Sequence, residues 1–353
     1  MPRILQTGVY ESEDRLAQSD LKDFLRKIFA AWDMDIERML PVFDSAEISE
    51  RQISFPLEWY RTERSFAERN AEYQRLIPSM AKKAIAECLE RNQIGPEAID
   101  HIVFLSTTGI MTPSPEATLI NDMGFRMDVK RTPVWGLGCL AGAVGLSRGC
   151  ELARAYPDQA VLVVAAEVCS LAFQGSDRTK KNVIATALFS DGAGAALIVG
   201  DEHPLAARPG LQHLHSQSAI YPDTQEVMGW EVLDTGLSVL LHKSIPALVQ
   251  RELRGDLNRT LEKAEMCESD IDFVLAHPGG AKVLDAMEEV LGLNQGSLTF
   301  SRDTLRRFGN MSSPTILYVL HRFLQGDARP GKKGILAALG PGFSSELIAC
   351  QMQ

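Results

Sequence analysis

The chain has 353 residues, long enough for two domains or a fused pair, and its 45% apolar and 23% charged residues describe a globular protein rather than a disordered one. A net charge of −10 excludes the basic field a nucleic-acid partner requires, and no apolar run approaches a membrane span. Six scattered cysteines without a CxxC pair indicate neither a zinc site nor a disulfide framework, so no metal is expected.

The first residues, Met1 to Asp14, lack an apolar signal core and turn acidic, which reads as a cytoplasmic chain. Ser19 is placed to cap a helix whose Leu21, Phe24, Leu25, Ile28 and Phe29 form one apolar stripe. Residues 44–64 read as irregular, and a long helix follows from Ser65 to Arg91, with Pro78 as a boundary or kink. Ile99 to Leu105 is a buried strand running into a turn, and Ser114-Pro115 opens a short helix. Residues 126–131 read as a basic linker.

The stretch Trp135-Gly-Leu-Gly-Cys139-Leu-Ala-Gly-Ala-Val-Gly-Leu146 then places one cysteine between a glycine-rich turn and a helix of small residues running to about Tyr156. Unpaired amide N–H groups and the macrodipole at a helix start favour an anion, so a thiol there is biased towards thiolate. Taken alone, Cys139 is equally a small residue filling a tight corner. Ala160 to Ala166 is another continuous apolar strand, as expected of a sheet covered on both faces.

Ala187 to Gly200 reads as a glycine-rich turn and strand without dinucleotide or P-loop spacing, and residues 201–224, with their prolines and histidines, as a connector. Helices over 244–264, 281–291 and 314–324 alternate with strands at 271–276 and near Ile335 and Leu347. The strands starting at Ile99 and Ile271 share the pattern Ile-Asp followed by apolar residues, and each follows a long helix. This weak internal repeat predicts an α/β protein of two back-to-back halves with a site where strand ends converge.

Three stretches share that setting. Cys139 precedes a helix, His277-Pro-Gly-Gly280 lies between a strand and a helix, and Gly309-Asn310-Met-Ser-Ser313-Pro314 enters a helix through a Ser313 cap and Pro314 first turn. All three lie at element ends where side chains can converge; alone, the histidine reads equally as a satisfied structural residue and the asparagine as a cap or turn residue, and only the combination points to a site.

GLGCLAGAVGL around Cys139, AHPGG with His277, RFGNMSSPTILYVL with Asn310 and LGPGFSSE from Leu339 to Glu346, in this order, resemble the type III polyketide synthases, the chalcone synthase family. The resemblance implies a thiolase-like fold. Two tandem α/β halves with mixed five-stranded sheets would stack as αβαβα, residues 1–215 carrying Cys139 and residues 216–353 carrying His277 and Asn310. It implies that Cys139 takes an acyl group from coenzyme A, paired as thiolate with His277, and that His277 and Asn310 stabilise the enolate left when malonyl-CoA loses carbon dioxide. No cofactor beyond coenzyme A thioesters is implied, and the family forms homodimers.

The same resemblance assigns Phe189 to the cavity mouth, Gly340, Pro341, Gly342 and Phe343 to a loop scaffolding the cyclisation chamber, and Thr112, Cys169 and Ser312 to the pocket. Where chalcone-forming plant enzymes have phenylalanine this chain has Val239, and where they have glycine it has Trp230. Met228-Gly229-Trp230 resembles bacterial members, many of which take fatty acyl-CoA primers and form alkylpyrones or alkylresorcinols. The expectation is therefore a medium- or long-chain acyl primer extended with malonyl-CoA and closed to an alkylpyrone. Ser45 stands where plant enzymes hold the coenzyme phosphates with lysine, so Lys282, Arg302, Arg306 and Arg307 become the candidate cations. Acyl delivery by a carrier protein, an initiating ketoacyl synthase and a papain-like cysteine hydrolase stay as alternatives.

Overall fold

The computed structural model describes residues 1–30 and 36–353. The first half contains β1 (Arg3–Val9), a short pair β2 (Leu16–Ala17) and β3 (Glu50–Arg51), α1 (Gln18–Ala30), α2 (Pro41–Ser45), α3 (Phe66–Asn92), β4 (His101–Leu105), α4 (Pro115–Met123), β5 (Lys130–Val134), α5 (Ala141–Ala155), β6 (Ala160–Val168), α6 (Lys180–Leu188) and β7 (Asp191–Val199). The second contains β8 (Leu211–Ile220), a hairpin of β9 (Met228–Leu233) and β10 (Gly236–Leu241), α7 (Ile245–Lys263), β11 (Ile271–Ala276), α8 (Ala281–Val290), α9 (Thr299–Phe308), α10 (Thr315–Gly326), β12 (Lys333–Gly340) and β13 (Ser344–Met352).

Among the described residues the main strands form one nine-stranded mixed sheet, ordered β11-β12-β13-β8-β1-β7-β6-β4-β5. The internal repeat is real in space: β4 runs parallel to β6, which is antiparallel to β7, just as β11 runs parallel to β12, which is antiparallel to β13. α5 leads into β6 as α10 leads into β12. The first half contributes five strands and the second four rather than five, joined edge to edge where Arg3 and Ile4 pair with Gln212 and Leu211.

Strand side chains alternate between cores, which produces the layers. Ile102 and Phe104 face the core under α1 and α3, whereas Val103 and Leu105 face a central core holding α5 and α10. Leu336 shares that central core, while Ile335, Ala337 and Leu339 face a third core under α7 and α8. α5 and α10 are buried on nearly every side because they lie between sheet halves, giving the α-β-α-β-α order. α3 opens with a complete Ser65–Glu68 capping box and runs on through Pro78. The carbonyl that Pro78 leaves without an amide partner belongs to Gln74, which is exposed, so water can satisfy it.

Several expectations need correction. α1 begins at Gln18, so Ser19 lies inside its first turn rather than capping it, though the apolar stripe is buried as expected. The stretch 201–224 contains β8, whose half-exposed polar residues carry no apolar period, and the division at 215/216 falls inside that strand. Residues 130–134 are strand, and α6, α9 and the β9–β10 hairpin were not visible in the residue pattern. No described helix is long and apolar enough to cross a membrane, and no group of metal-binding side chains occurs among the described residues.

Candidate active site

Cys139 sits in a 3-10 turn, Gly138–Leu140, that continues into α5. Two glycines place it. Gly138 has φ +48°, and its N–H donates to Thr107 Oγ1 at 3.2 Å. At Gly142 a Cβ would lie 2.2 Å from the Ser313 carbonyl oxygen, so only glycine lets α5 start directly against the loop carrying Asn310.

That loop is pinned from several directions. The Asn310 N–H donates to Leu188 O, and its carbonyl accepts from Ser190 N, both at 2.9 Å, stitching it beside Phe189. Asn310 Oδ1 accepts from Ser312 N at 2.8 Å, which fixes the amide orientation and leaves Nδ2 as donor. Nδ2 reaches Gly279 O at 3.3 Å and lies 3.9 Å from Cys139 Sγ. Ser313 does not cap α10: its hydroxyl donates to Glu167 Oε1 at 2.7 Å, and the cap position is Pro314.

His277 follows β11, its N–H bonded to Ala337 O at 2.7 Å. The imidazole is buried, yet among the described residues neither ring nitrogen has a hydrogen-bond partner, and it lines the same cavity as Cys139 and Asn310. Buried polar atoms are normally satisfied, so two open nitrogens facing a cavity mark a group held for a ligand. Burial pulls His277 down to about 3 and pushes the Cys139 thiol up to about 11, the latter opposed by hydrogen bonds from Ser312 and Asn310. The helix-start bias expected for Cys139 is thus outweighed by desolvation. Burial therefore favours the neutral form of each group at rest.

The cavity has a volume of about 590 Å³. Phe189, Trp230, Val239, Ser312 and Pro341 line it, with the Phe189 and Trp230 ring centroids 5.6 Å apart. Other expected pocket residues lie elsewhere. Thr112 is exposed on the loop before α4 and does not line the cavity. Cys169 borders a separate apolar space of about 40 Å³ that also touches Phe189. Gly340 packs against Leu140 behind the nucleophile, Gly342 turns at φ +126°, and Phe343 is buried in the third core against Tyr221. These three shape the chamber from behind rather than lining it.

The cations divide similarly. Lys282 lines the cavity, and so does Ser45. Arg302, Arg306 and Arg307 do not. Arg302 is held by Glu288 at 2.7 Å, Asp285 at 2.6 Å and Glu47 at 3.1 Å; Arg306 pairs with Asp303, and Arg307 lies over Phe308. Lys180, Lys181 and Lys243 stand around the cavity instead, and only Lys181 has a carboxylate partner among the described residues, Glu231 at 3.4 Å. The adjacent Lys180-Lys181 pair was the available sequence signal.

Two further residues escaped sequence reasoning. Glu167 is fully buried and accepts from Thr107 N and Thr108 N at 2.9 Å, Thr108 Oγ1 at 2.8 Å and Ser313 Oγ, tying the end of β4 to the Asn310 loop; burial raises its pKa. A lone carboxylate inside an apolar strand was its signal. Arg51 is also fully buried and donates to the carbonyls of Thr186, Ala187 and Phe189 at the end of α6, which positions Phe189.

Comparison with known proteins agrees with this geometry. The profile of the family described as "Chalcone and stilbene synthases, N-terminal domain" matches residues 49–203, and that of the C-terminal domain matches residues 212–351. A protein named putative chalcone synthase from Bacillus subtilis is 40% identical, over 99% of this chain and 98% of its own. The 1,3,6,8-tetrahydroxynaphthalene synthase of Streptomyces peucetius subsp. caesius is 34% identical, over 95% and 89%. Among solved structures, the 1,3,6,8-tetrahydroxynaphthalene synthase of Streptomyces coelicolor A3(2) superimposes with a TM-score of 0.93 at 29% identity, covering 99% of both chains. The type III polyketide synthase domain of Steely1 from Dictyostelium gives 0.91 at 25%, again covering 99% of both. The chain belongs to the chalcone and stilbene synthase family and is a type III polyketide synthase. The cysteine-hydrolase and ketoacyl-synthase alternatives are thereby set aside.

Proposed function

We propose that the enzyme extends a medium- or long-chain fatty acyl-CoA with malonyl-CoA by repeated decarboxylative Claisen condensation and releases an alkylpyrone. The observation that carries this reading is the apolar character of the cavity of about 590 Å³ around Cys139, whose wall includes Ile184, Leu188, Val239 and Leu240. An extended aliphatic tail has somewhere to go.

Cys139, His277 and Asn310 form the catalytic set in this reading. Sγ passes its proton to His277 and attacks the acyl carbonyl; the coenzyme thiolate leaves and takes the proton, and the acyl group stays on Cys139. Malonyl-CoA then places its thioester oxygen against the N–H donors of His277 and Asn310. Carbon dioxide leaves, the two donors stabilise the enolate oxygen, and the enolate carbon attacks the acyl-Cys139 carbonyl, forming the new carbon–carbon bond and expelling the Cys139 thiolate. The chain now on coenzyme A returns to Cys139 for the next round. An enol oxygen attacking the thioester closes the pyrone.

Lys180, Lys243 and Lys282 are the cations that suit the coenzyme phosphates, which favours delivery from coenzyme A over a carrier protein. A cytoplasmic homodimer completes the reading. Trp135 is 57% exposed and donates to Gly109 O beside the exposed Ile110, an apolar surface that a second copy would cover. The names of the Streptomyces relatives favour a second reading, an aromatic naphthalene polyol.

The test is incubation of the purified enzyme with a panel of acyl-CoA primers and malonyl-CoA, read by mass spectrometry. Alkylpyrones from primers of about eight carbons or more, an order set by the cavity dimensions, are expected. An aromatic polyol as the sole product would favour the second reading, and no chain extension with any primer would overturn both.

A further inference from the structure

The hairpin that supplies Trp230 and Val239 to the cavity wall is fastened to the body at a buried node outside the cavity. Gln174, in the segment between β6 and α6, is 6% exposed. Its Oε1 accepts from Thr235 Oγ1 at 2.7 Å, and its Nε2 donates to Leu237 O at 3.4 Å, gripping the hairpin at its turn and along β10. The Gln174 backbone is itself held from α6, because Asn182 Nδ2 donates to Gln174 O at 2.8 Å and to Asp177 O at 2.7 Å. From α3, Arg69 Nη1 donates to Leu171 O and Phe173 O, both at 2.8 Å, and Phe66 N donates to Asp234 O at 2.9 Å.

This node joins the hairpin carrying Trp230 and Val239 to the helix that ends at Phe189. A space of about 10 Å³, bordered by Gln174, Asn182 and Ser238, lies behind Val239, which also faces the main cavity. That volume holds about one water molecule, so the wall is closed only as long as the amide node stays packed. Both polar ends of the Gln174 side chain serve the hairpin, and a buried amide with both ends used fixes position more tightly than apolar contact does.

We propose that Gln174 is a positioning residue for chain length, and that its latch with Thr235 sets how far Val239 and Trp230 stand from Phe189. The latch thereby limits how long a chain grows before it cyclises. This rests on the iterative-extension reading above. Gln174 touches neither substrate nor the reacting atoms, so its effect falls on product size and not on loading of Cys139.

The experiment compares Thr235→Val, which removes the hydroxyl at nearly constant shape, with Thr235→Ser, which keeps it, and with Gln174→Leu. Thr235 sits at an exposed turn, so its variants keep the fold. Each enzyme receives the longest primer the wild type extends; product sizes are read by mass spectrometry and the rate of Cys139 acylation by intact mass. Thr235→Val should raise the ratio of longer to shorter products about fivefold, the order expected for one lost hydrogen bond, and Gln174→Leu, which loses two, at least as much, with acylation rates within about twofold of wild type. Thr235→Ser should keep the wild-type ratio. A wild-type product distribution in Thr235→Val, or an equal shift in Thr235→Ser, would overturn the proposal. A wild type that extends no primer would fail the function reading itself, a result visible before any variant is compared.

Discussion

Burial opposes the charge of both Cys139 and His277, so in the proposed mechanism the thiolate forms only by passing its proton to the imidazole. This gives a pH signature. With His277 replaced by alanine the thiol loses its proposed proton acceptor, and burial, opposed by the hydrogen bonds from Ser312 and Asn310, still holds it at about 11, so its thiolate forms towards that pH. Alkylation of Cys139 by iodoacetamide at pH 7 should be at least about 10-fold faster in the wild type than in His277→Ala. The difference should vanish as the pH approaches 11, where the thiol ionises unaided. Identical profiles would remove His277 from activation of the thiol. At this scale much of the site is legible in the sequence, because a cysteine, a histidine and an asparagine at strand–helix junctions are the types this chemistry needs. Glu167 and Arg51 are not legible in the same way. Each works by hydrogen bonds to backbone distant in sequence, so a local pattern such as the lone carboxylate in β6 marks Glu167 as unusual without naming its partners.

The elements around the site explain what its glycines and wall residues do. At Gly142 a methyl group would meet a backbone carbonyl that cannot swing aside. Gly142→Ala should therefore lower thermal stability by about 1–3 kcal/mol, the cost of overpacking, although alanine favours a helix by about 1 kcal/mol. A raised melting temperature would show that α5 does not start against the Asn310 loop. Val239, 6% exposed at the cavity wall, is a cleaner test of substrate choice. Val239→Phe should cut extension of the longest accepted primers by about 10-fold and spare the short ones, since an added ring fills space an aliphatic chain needs. Comparison of kcat/KM across primer lengths checks it, and undiminished long-chain extension would move the tail route away from that wall. The hairpin carrying Val239 is hard to see in sequence because its strands alternate weakly and the end of β9, with Val232 and Leu233 adjacent, is apolar yet exposed. α6 is short and amphipathic only to a small degree, and its lysines become neighbours of Lys243 only after the hairpin folds.

Across the whole molecule, two α/β halves repeat one plan, and the reactive residues lie at equivalent places in it. Cys139 stands at the start of α5 in the first half and Asn310 just before α10 in the second, and both helices share the central layer. The strands at Ile99 and Ile271 reveal this repeat because each opens with Ile-Asp and runs into apolar residues, although β4 is buried throughout and the edge strand β11 only at its end. The seam does not show. β1 and β8 join the halves through two residue pairs, and β8 is too polar to stand out as a strand. In the proposed reaction this architecture makes Cys139 the carrier of an aliphatic acyl chain. The most direct test of that role is intact-mass and peptide analysis of the enzyme mixed with one long-chain acyl-CoA and no malonyl-CoA. The predicted result is one acyl group per chain, on the peptide containing Cys139 and absent in Cys139→Ala. An unmodified protein, or an adduct that persists in Cys139→Ala, would contradict it.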